Sequence, residues 1–131
     1  MFYKGVTQDL KGYGGYQFSM GENEDPDFTP QFGVKGGFYF TTKENVLKWC
    51  KELSYDSIVE AEPISESFTY GTAMKAKNIK IDKLMTLEEF AEALSEEEIQ
   101  NISQVSPEII SLIKVCKPEL ILSILKRDGL A

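Results

Sequence analysis

Alternating apolar and polar positions predict short β-strands in the first 85 residues. Period-two alternation, or a compact apolar run between turn residues, marks five segments: Phe2–Val6, Tyr16–Met20, Gly37–Thr41, Ser57–Glu62 and, more weakly, Ser67–Tyr70. Residues 73–82 also alternate, but their apolar positions change parity near Asn78. A parity change moves the side chains to the other face of a sheet, so we expect a bulge or a break there.

Apolar spacing of three to four residues predicts one long helix within this half, at about 42–53. Val46, Trp49 and Leu53 follow this spacing, and the simplest interpretation of Trp49 is that it packs in the core with the other two. From residue 86 onward the same spacing recurs in short segments. These segments predict a layer of short helices at about 87–127.

Helix-start signals support these assignments. A Ser or Thr followed three residues later by Glu is the capping-box pattern, and it occurs at Thr41–Glu44, Thr86–Glu89 and Ser95–Glu98. Prolines 107 and 118 open two eleven-residue units, 107–117 and 118–128, which match in Pro, Glu and apolar positions, and 96–106 follows more weakly. Because each unit is too short to be stable alone, we expect the isoleucines to be buried against the β-rich half.

The predicted fold class is therefore α+β. We expect one domain over 1–131, in which a small mixed or antiparallel sheet and one helix (1–85) are followed by a helical half (86–131). The chain has 131 residues, enough to bury a substantial core.

Composition removes many kinds of chemistry. The chain has no histidine and two cysteines 66 positions apart, Cys50 and Cys116, so a Ser–His or Cys–His nucleophile pair and a tetrahedral zinc site are not expected. The glycines at 12, 14 and 15 do not match a dinucleotide fingerprint. We predict no catalytic residue, no metal and no cofactor, and the sequence favours a protein that is not an enzyme. Reduced cysteines and the absence of a visible signal peptide or long apolar run predict a cytoplasmic protein that does not bind membranes.

Negative charge is concentrated in two blocks. The net charge is −7, while residues 21–30 carry −4 and residues 86–105 carry −6, which leaves +3 elsewhere. Pro26 and Pro30 predict that the first block is an exposed loop. The candidate partner-binding residues are Glu22, Glu24, Asp25 and Asp27 in this block, and Glu88, Glu89, Glu92, Glu96, Glu97 and Glu98 in the second. The alternative is that the helical glutamates only favour the helix dipoles.

Short motifs resemble an uncharacterised family of small bacterial and phage domains. The motifs are YKG near the start, GFYF before a helix, the strand IVEAE, KAKNIKI, and KRDGLA at 126–131. The family pattern reads YKG, GFHF, VEV and KIKIL, followed by a tail of short helical repeats. The resemblance implies a phage or mobile-element setting, hence the host cytoplasm, and implies no particular activity.

A weaker similarity connects the chain to ADP-ribosyltransferases. Tyr3-Lys4-Gly5 corresponds to their Tyr-Arg-Gly or His-Gly motif, and Tyr39 lies in GFYF, which corresponds to their GIYF. Trp49 lies near the position of the aromatic residue that stacks on nicotinamide. This similarity implies an NAD-binding domain, active or degenerate. Lysine at position 4 cannot supply the fork of an arginine, and no glutamate stands at the catalytic position.

Three functions follow from these observations. The favoured one is an acidic interaction protein that binds and inhibits a basic host protein, such as a nucleic-acid-binding, CRISPR-type defence component, because carboxylates can occupy sites built for phosphates. Such an anti-CRISPR or other anti-defence protein would not itself bind nucleic acid. The alternatives are the NAD-binding domain and a regulatory module that binds a peptide through its helical repeats.

Overall fold

The structure, a computed structural model, describes residues 1–31, 33, 36–121 and 123. Its strands are β1 (Phe2–Val6), β2 (Gly21–Glu24), β3 (Phe38–Thr41), β4 (Ser57–Pro63), β5 (Ser67–Tyr70), β6 (Ala73–Ala76) and β7 (Asn78–Thr86). Its α-helices are α1 (Lys43–Leu53), α2 (Leu87–Glu92), α3 (Glu96–Val105) and α4 (Ile109–Cys116), with 3-10 turns at Tyr13–Gly15 and Pro118–Leu120. The predicted α+β class is confirmed.

The strands form one sheet in the order β2-β7-β4-β1-β3-β6-β5. All of its pairings are antiparallel, so of the two predicted arrangements the antiparallel one is correct. The central strand β1 pairs along its whole length with β4, from Phe2 opposite Ala61 to Val6 opposite Ser57. Its pairing with β3 is much shorter, with a single register pair between Tyr3 and Thr41.

The sheet curls back on itself at Lys77. This residue alone separates the end of β6 from the start of β7, although β4, β1 and β3 lie between those strands in the sheet order. Two Cα–Cα steps span at most about 7.6 Å, whereas four strand spacings in a flat sheet would require about 19 Å. The predicted break near Asn78 is confirmed, and it is the point where the chain passes between the two arms of the curled sheet.

Two apolar clusters fill the two faces of this sheet. The inner cluster lies inside the curl and consists of Val6, Phe18, Phe38, Phe40, Val59, Ala61, Met74, Ala76, Ile79 and Ile81. The outer cluster joins Tyr3 and Ile58 of the sheet to the buried faces of the helices. Its isoleucines Ile99, Ile102, Ile109 and Ile113 are at most 1% exposed. These isoleucines therefore share one core cluster with the β-rich half, as predicted, although α3 packs mainly on α1 and α4 mainly on α2.

The prediction of a strand at Tyr16–Met20 is wrong. That segment makes only an isolated bridge, between Lys11 and Gln17, and the strand begins at Gly21. The buried Asn23 explains the shift, because its side chain accepts from the Ser19 N–H at 3.0 Å and donates to the Ser19 carbonyl at 2.7 Å. The first four residues of the acidic block are thus a strand, and the prediction that the whole block is a loop is also wrong.

Helix α1 begins one residue later than its predicted capping box. Its N-cap is Thr42, whose hydroxyl accepts from the Asn45 side-chain amide at 2.7 Å and caps no backbone N–H. The hydroxyl of Thr41, the predicted cap, donates to the Thr72 carbonyl at 2.5 Å. Val46 is fully buried, but Leu53 is 47% exposed and Trp49 is partly exposed. The interpretation that Trp49 packs in the core with both of them is wrong.

The other two capping boxes are confirmed, at Thr86–Glu89 and Ser95–Glu98. Helix α4 begins at Ile109 without a side-chain cap, two residues after Pro107. Helix α1 has 11 residues and α3 has 10. The predicted contrast between one long helix at 42–53 and only short helices after residue 86 is therefore not confirmed. Most of the repeat unit 118–128 and the whole KRDGLA motif at 126–131 lie outside the described residues.

Candidate functional site

Half of the acidic residues proposed in the helical region bind other parts of the chain. Glu89 and Glu98 accept from the N–H groups of Thr86 and Ser95 as capping-box partners. Glu98 also lies 2.6 Å from the Lys43 ammonium. The hydrogen bond from Lys43, followed by the one from the Ser95 N–H, lowers the pKa of Glu98. The Glu96 carboxylate accepts from the Ser123 hydroxyl at 2.6 Å.

The remaining three, Glu88, Glu92 and Glu97, point into solvent and are named here the helical acidic patch. Within the described part of the chain, their carboxylates form neither a hydrogen bond nor an ion pair. Glu88 and Glu92 are four residues apart on α2, so they lie on one face of that helix. Like charges at this spacing destabilise a helix by a few tenths of a kcal/mol. Glu88 and Glu97 lie in the first turns of α2 and α3, where the helix dipole favours a negative charge and offsets this cost.

The acidic block near β2 is organised differently. Asp25 fixes the following loop, because its two carboxylate oxygens accept from the N–H groups of Asp27 at 2.9 Å and Gly37 at 2.7 Å. Glu24 accepts from the Asn78 amide at 3.3 Å. Glu22 and Asp27 have exposed side chains. The structural role of Asp25 could not be read from the sequence, since its second partner, Gly37, lies twelve positions away.

The two acidic groups do not form one surface along the sheet. Glu24 is paired with Asn78 at the start of β7, whereas α2 and the helical acidic patch follow the end of the same strand at Thr86. Nine residues of strand extend over about 30 Å. The ten acidic residues thus form two separate groups.

The five residues suggested by the similarity to ADP-ribosyltransferases occupy different environments. Tyr3 is 6% exposed and packs edge-on against Phe90, with ring centroids 5.9 Å apart. A Cβ on Gly5 would lie 2.8 Å from Tyr55 and 2.9 Å from the Cys50 sulfur, which explains the glycine by close packing. Trp49 is partly exposed on α1 and belongs to neither apolar cluster.

Lys4 and Tyr39 are the two members of this set that come together. The Lys4 ammonium donates to the Tyr39 carbonyl at 2.6 Å and lies 5.3 Å from the centroid of the Phe18 ring. Burial lowers the pKa of Lys4 to about 8. The Tyr39 ring, in contrast, lies 5.2 Å from the ammonium of Lys75.

Sequence reasoning missed Lys75, which is 0% exposed. Its ammonium donates to the Gln31 carbonyl at 2.8 Å and lies over the rings of Phe28 and Tyr39. Its place in the alternating segment 73–82 suggested an exposed polar position. The segment that covers it lies more than forty residues earlier in the chain, so no local pattern could have revealed the burial.

Surface depressions in the described region are small. The two best defined have volumes of about 50 and 40 Å³, far below the several hundred Å³ typical of ligand pockets. The first is lined by Met1, Glu60, Ala61, Glu62, Lys80 and Asp82, and the second by Lys43, Glu44, Glu98, Asn101 and Ile102. Neither depression is lined by any of the five residues suggested by the similarity to ADP-ribosyltransferases.

Comparisons of the chain with protein-family models, curated proteins and solved structures found no match. Among the described residues, no three or more Cys, Asp or Glu side chains form a group that could hold a metal ion. None of the described helices has both the length and the apolar content needed to cross a membrane.

Proposed function

We propose that the chain is a protein-binding module that engages a basic partner through the helical acidic patch. The observation that carries this proposal is that the carboxylates of Glu88, Glu92 and Glu97 form no hydrogen bond or ion pair in the described part of the chain. The neighbouring Glu89, Glu96 and Glu98 are instead bound by the chain itself. Carboxylates on a helical layer can occupy positions where a partner binds phosphates, and their electric field speeds association. The small size of the two best-defined depressions agrees with recognition by a surface.

The partner proposed is a nucleic-acid-binding protein of a bacterial host, such as a CRISPR-type defence component, which the module would inhibit. Two things support this choice: the surface charge, and the resemblance of the YKG and GFYF motifs to small bacterial and phage domains. A basic nucleic-acid-binding groove is the kind of surface that negative charge can block. Inhibition then needs no catalytic residue.

Charge reversal tests the proposal. The triple variant Glu88→Lys, Glu92→Lys and Glu97→Lys should lose capture of basic proteins from bacterial lysate, identified by mass spectrometry. The matched control reverses three exposed glutamates elsewhere, Glu52, Glu62 and Glu66, with the same change in net charge. Capture should survive in the control and weaken with salt, because the screening length is about 8 Å at physiological ionic strength. Equal capture by both triple variants would overturn the proposal.

A titration with NAD separates this function from the NAD-binding alternative. Trp49 has the partial exposure that stacking on nicotinamide needs, but Tyr3 is buried against Phe90. The proposed function predicts no rise in melting temperature with NAD. A rise that disappears in Lys4→Ala and Trp49→Ala would favour the alternative, because a ligand stabilises the folded state that binds it.

A further inference from the structure

Strand β5 forms an open edge of the sheet. It stands last in the strand order, and among the described strands it pairs with β6 alone. A two-residue turn joins the two strands, and its first residue, Gly71, has the positive φ, 63°, that such a tight hairpin requires. Phe68 of β5 packs against the Phe28 ring, with centroids 5.9 Å apart. The hairpin is thus held by the loop that precedes β3, and it presents an ordered strand edge.

The outward-facing backbone groups of this edge belong to Ser67 and Thr69. The pair that flanks a two-residue turn, here Tyr70 and Ala73, is hydrogen-bonded, and hydrogen-bonded pairs alternate along an antiparallel ladder. The N–H and C=O groups of Tyr70 and Phe68 therefore point towards β6, whereas those of Ser67 and Thr69 point away from it. Within the described residues, neither Ser67 nor Thr69 makes a backbone hydrogen bond outside the sheet, and both are exposed.

Charge distinguishes the two edges of the sheet. Strand β2, at the other edge, reads GENE, and residues 21–27 carry four carboxylates. Strand β5 contains no charged residue, and the hairpin at 66–77 sums to +1, with Glu66 against Lys75 and Lys77. Charged residues are a common means by which proteins protect an edge strand from pairing with another chain. In a chain with net charge −7, the β5 edge is therefore the one that a second acidic chain can approach with little repulsion.

We propose that β5 pairs with β5 of a second copy of this chain, antiparallel and centred on Phe68, so that the sheet continues through a two-fold axis. In this register Ser67 lies opposite Thr69 of the other copy, and each of the two such pairs can exchange two backbone hydrogen bonds. Phe68 lies opposite Phe68 of the other copy in a close, non-hydrogen-bonded pair. Centring on Phe68 is the register in which both outward-facing residues find partners within the strand.

The same register keeps the acidic side chains of the two copies apart. Glu66 lies opposite Tyr70 of the other copy, so the two Glu66 residues are about 13 Å apart along the strands. This separation exceeds the screening length of about 8 Å at physiological ionic strength. Within each copy, continuation of the β5–β6 register places Lys77 opposite Glu66. The contact therefore brings no pair of carboxylates together.

Sedimentation velocity of the full chain over a series of concentrations tests the proposal. The strand has four residues, far fewer than the roughly 20–30 on each side of a stable interface, so the dimer should form only as the concentration rises. Thr69→Pro removes an outward N–H and leaves the N–H groups that bind β6, and proline is tolerated at such an edge position. It should raise the dissociation constant of the dimer at least about tenfold. Thr69→Val is the matched control, because it keeps the N–H and the branched side chain, and it should still associate.

A second variant keeps the test decisive if circular dichroism shows that the proline variant does not fold. Ser67→Lys combined with Thr69→Lys retains every backbone N–H, and the register brings the lysines of one copy opposite those of the other. Association should weaken, and added salt should restore part of it. A chain that stays monomeric at every concentration would overturn the proposal, and so would a dimer that the folded variants leave unchanged.

This contact is independent of the helical acidic patch. The triple variant Glu88→Lys, Glu92→Lys and Glu97→Lys should therefore still form the dimer, even where it no longer captures a basic partner. Conversely, Thr69→Pro should leave that capture intact. Each proposal can thus fail without the other.

Discussion

The Lys43 ammonium and the Glu98 carboxylate, 2.6 Å apart, join the first turn of α1 to the first turn of α3. Lys43 is the first residue of α1, where the helix dipole disfavours a cation. Glu98 places a negative charge beside it and at the same time caps its own helix. One carboxylate thus stabilises two helix starts and links the β-rich half to the helical half.

Glu98→Gln should destabilise the protein at neutral pH by up to about 1 kcal/mol, since both side chains are partly exposed. Glutamine keeps the capping box, so the change isolates the ion pair. The pKa of Glu98 is lowered in the folded state, so its contribution is present above the unfolded pKa and is lost as the pH falls through the folded pKa. In urea unfolding experiments, the difference in unfolding free energy between the variant and the wild type should therefore become smaller as the pH is lowered. Glu97→Gln, the control, should change stability by less than about 0.5 kcal/mol at neutral pH.

Asp25→Ala should destabilise the protein by about 1–3 kcal/mol, because the N–H groups of Asp27 and Gly37 lose their acceptors. Asp27→Ala, at an exposed side chain two residues away, should be nearly neutral. Urea unfolding of the two variants measures the difference. Equal effects would show that the Asp25 carboxylate does not hold this loop.

Gly36→Ala should cost at least about 3 kcal/mol. Gly36 has φ 103°, and an added Cβ would collide with the Asp27 carbonyl oxygen. Gly14→Ala is the matched control, because its φ of 69° is also positive but no atom lies within 4 Å of the added carbon. The control should cost only about 1 kcal/mol. Thermal unfolding that ranks the two variants in the reverse order would contradict the close packing of this loop.

Ile113→Ala should destabilise the protein by about 2–5 kcal/mol, since Ile113 is completely buried in the outer cluster. Val115→Ala, two residues later at a side chain 76% exposed, should have little effect. Chemical unfolding monitored by the fluorescence of Trp49 tests whether the substitution also destabilises α1. A loss of helical signal without a shift in the Trp49 transition would show that the helical layer unfolds separately.

The sequence predicted the parts of the fold that depend on neighbouring residues. The capping boxes at Thr86 and Ser95 need only a pattern of four residues, and β1 begins and ends where its alternation does. Strand β2 was missed because GENE contains no apolar residue, and it is fixed by β7 and by Asn23. The third capping box failed because Thr41 finds a partner in Thr72, 31 positions away.

In the candidate site, too, the sequence predicted the features that depend on neighbouring residues and missed those that depend on distant ones. The sequence correctly located six glutamates on helices and identified Glu89 and Glu98 as capping-box partners. It could not reveal that Lys43 pairs with Glu98 or that Ser123 binds Glu96. Burial of Lys4 and Lys75 likewise depends on strands and loops distant in the sequence. Whether a charge is compensated is decided by tertiary contacts, which composition does not contain.

The sheet order also has a consequence for the speed of folding. Strand β2 pairs with β7 across about sixty residues, as at Gly21 and Ile81, and β1 pairs with β4 across about fifty, as at Val6 and Ser57. The entropy of closing such loops must be lost before the strand contacts stabilise the chain. The turn at Lys77 is different, because it joins β6 and β7, which are neighbours in sequence but are separated by three strands in the sheet. The chain therefore belongs with slow folders, in the millisecond-to-second range typical of proteins dominated by non-local strand pairing.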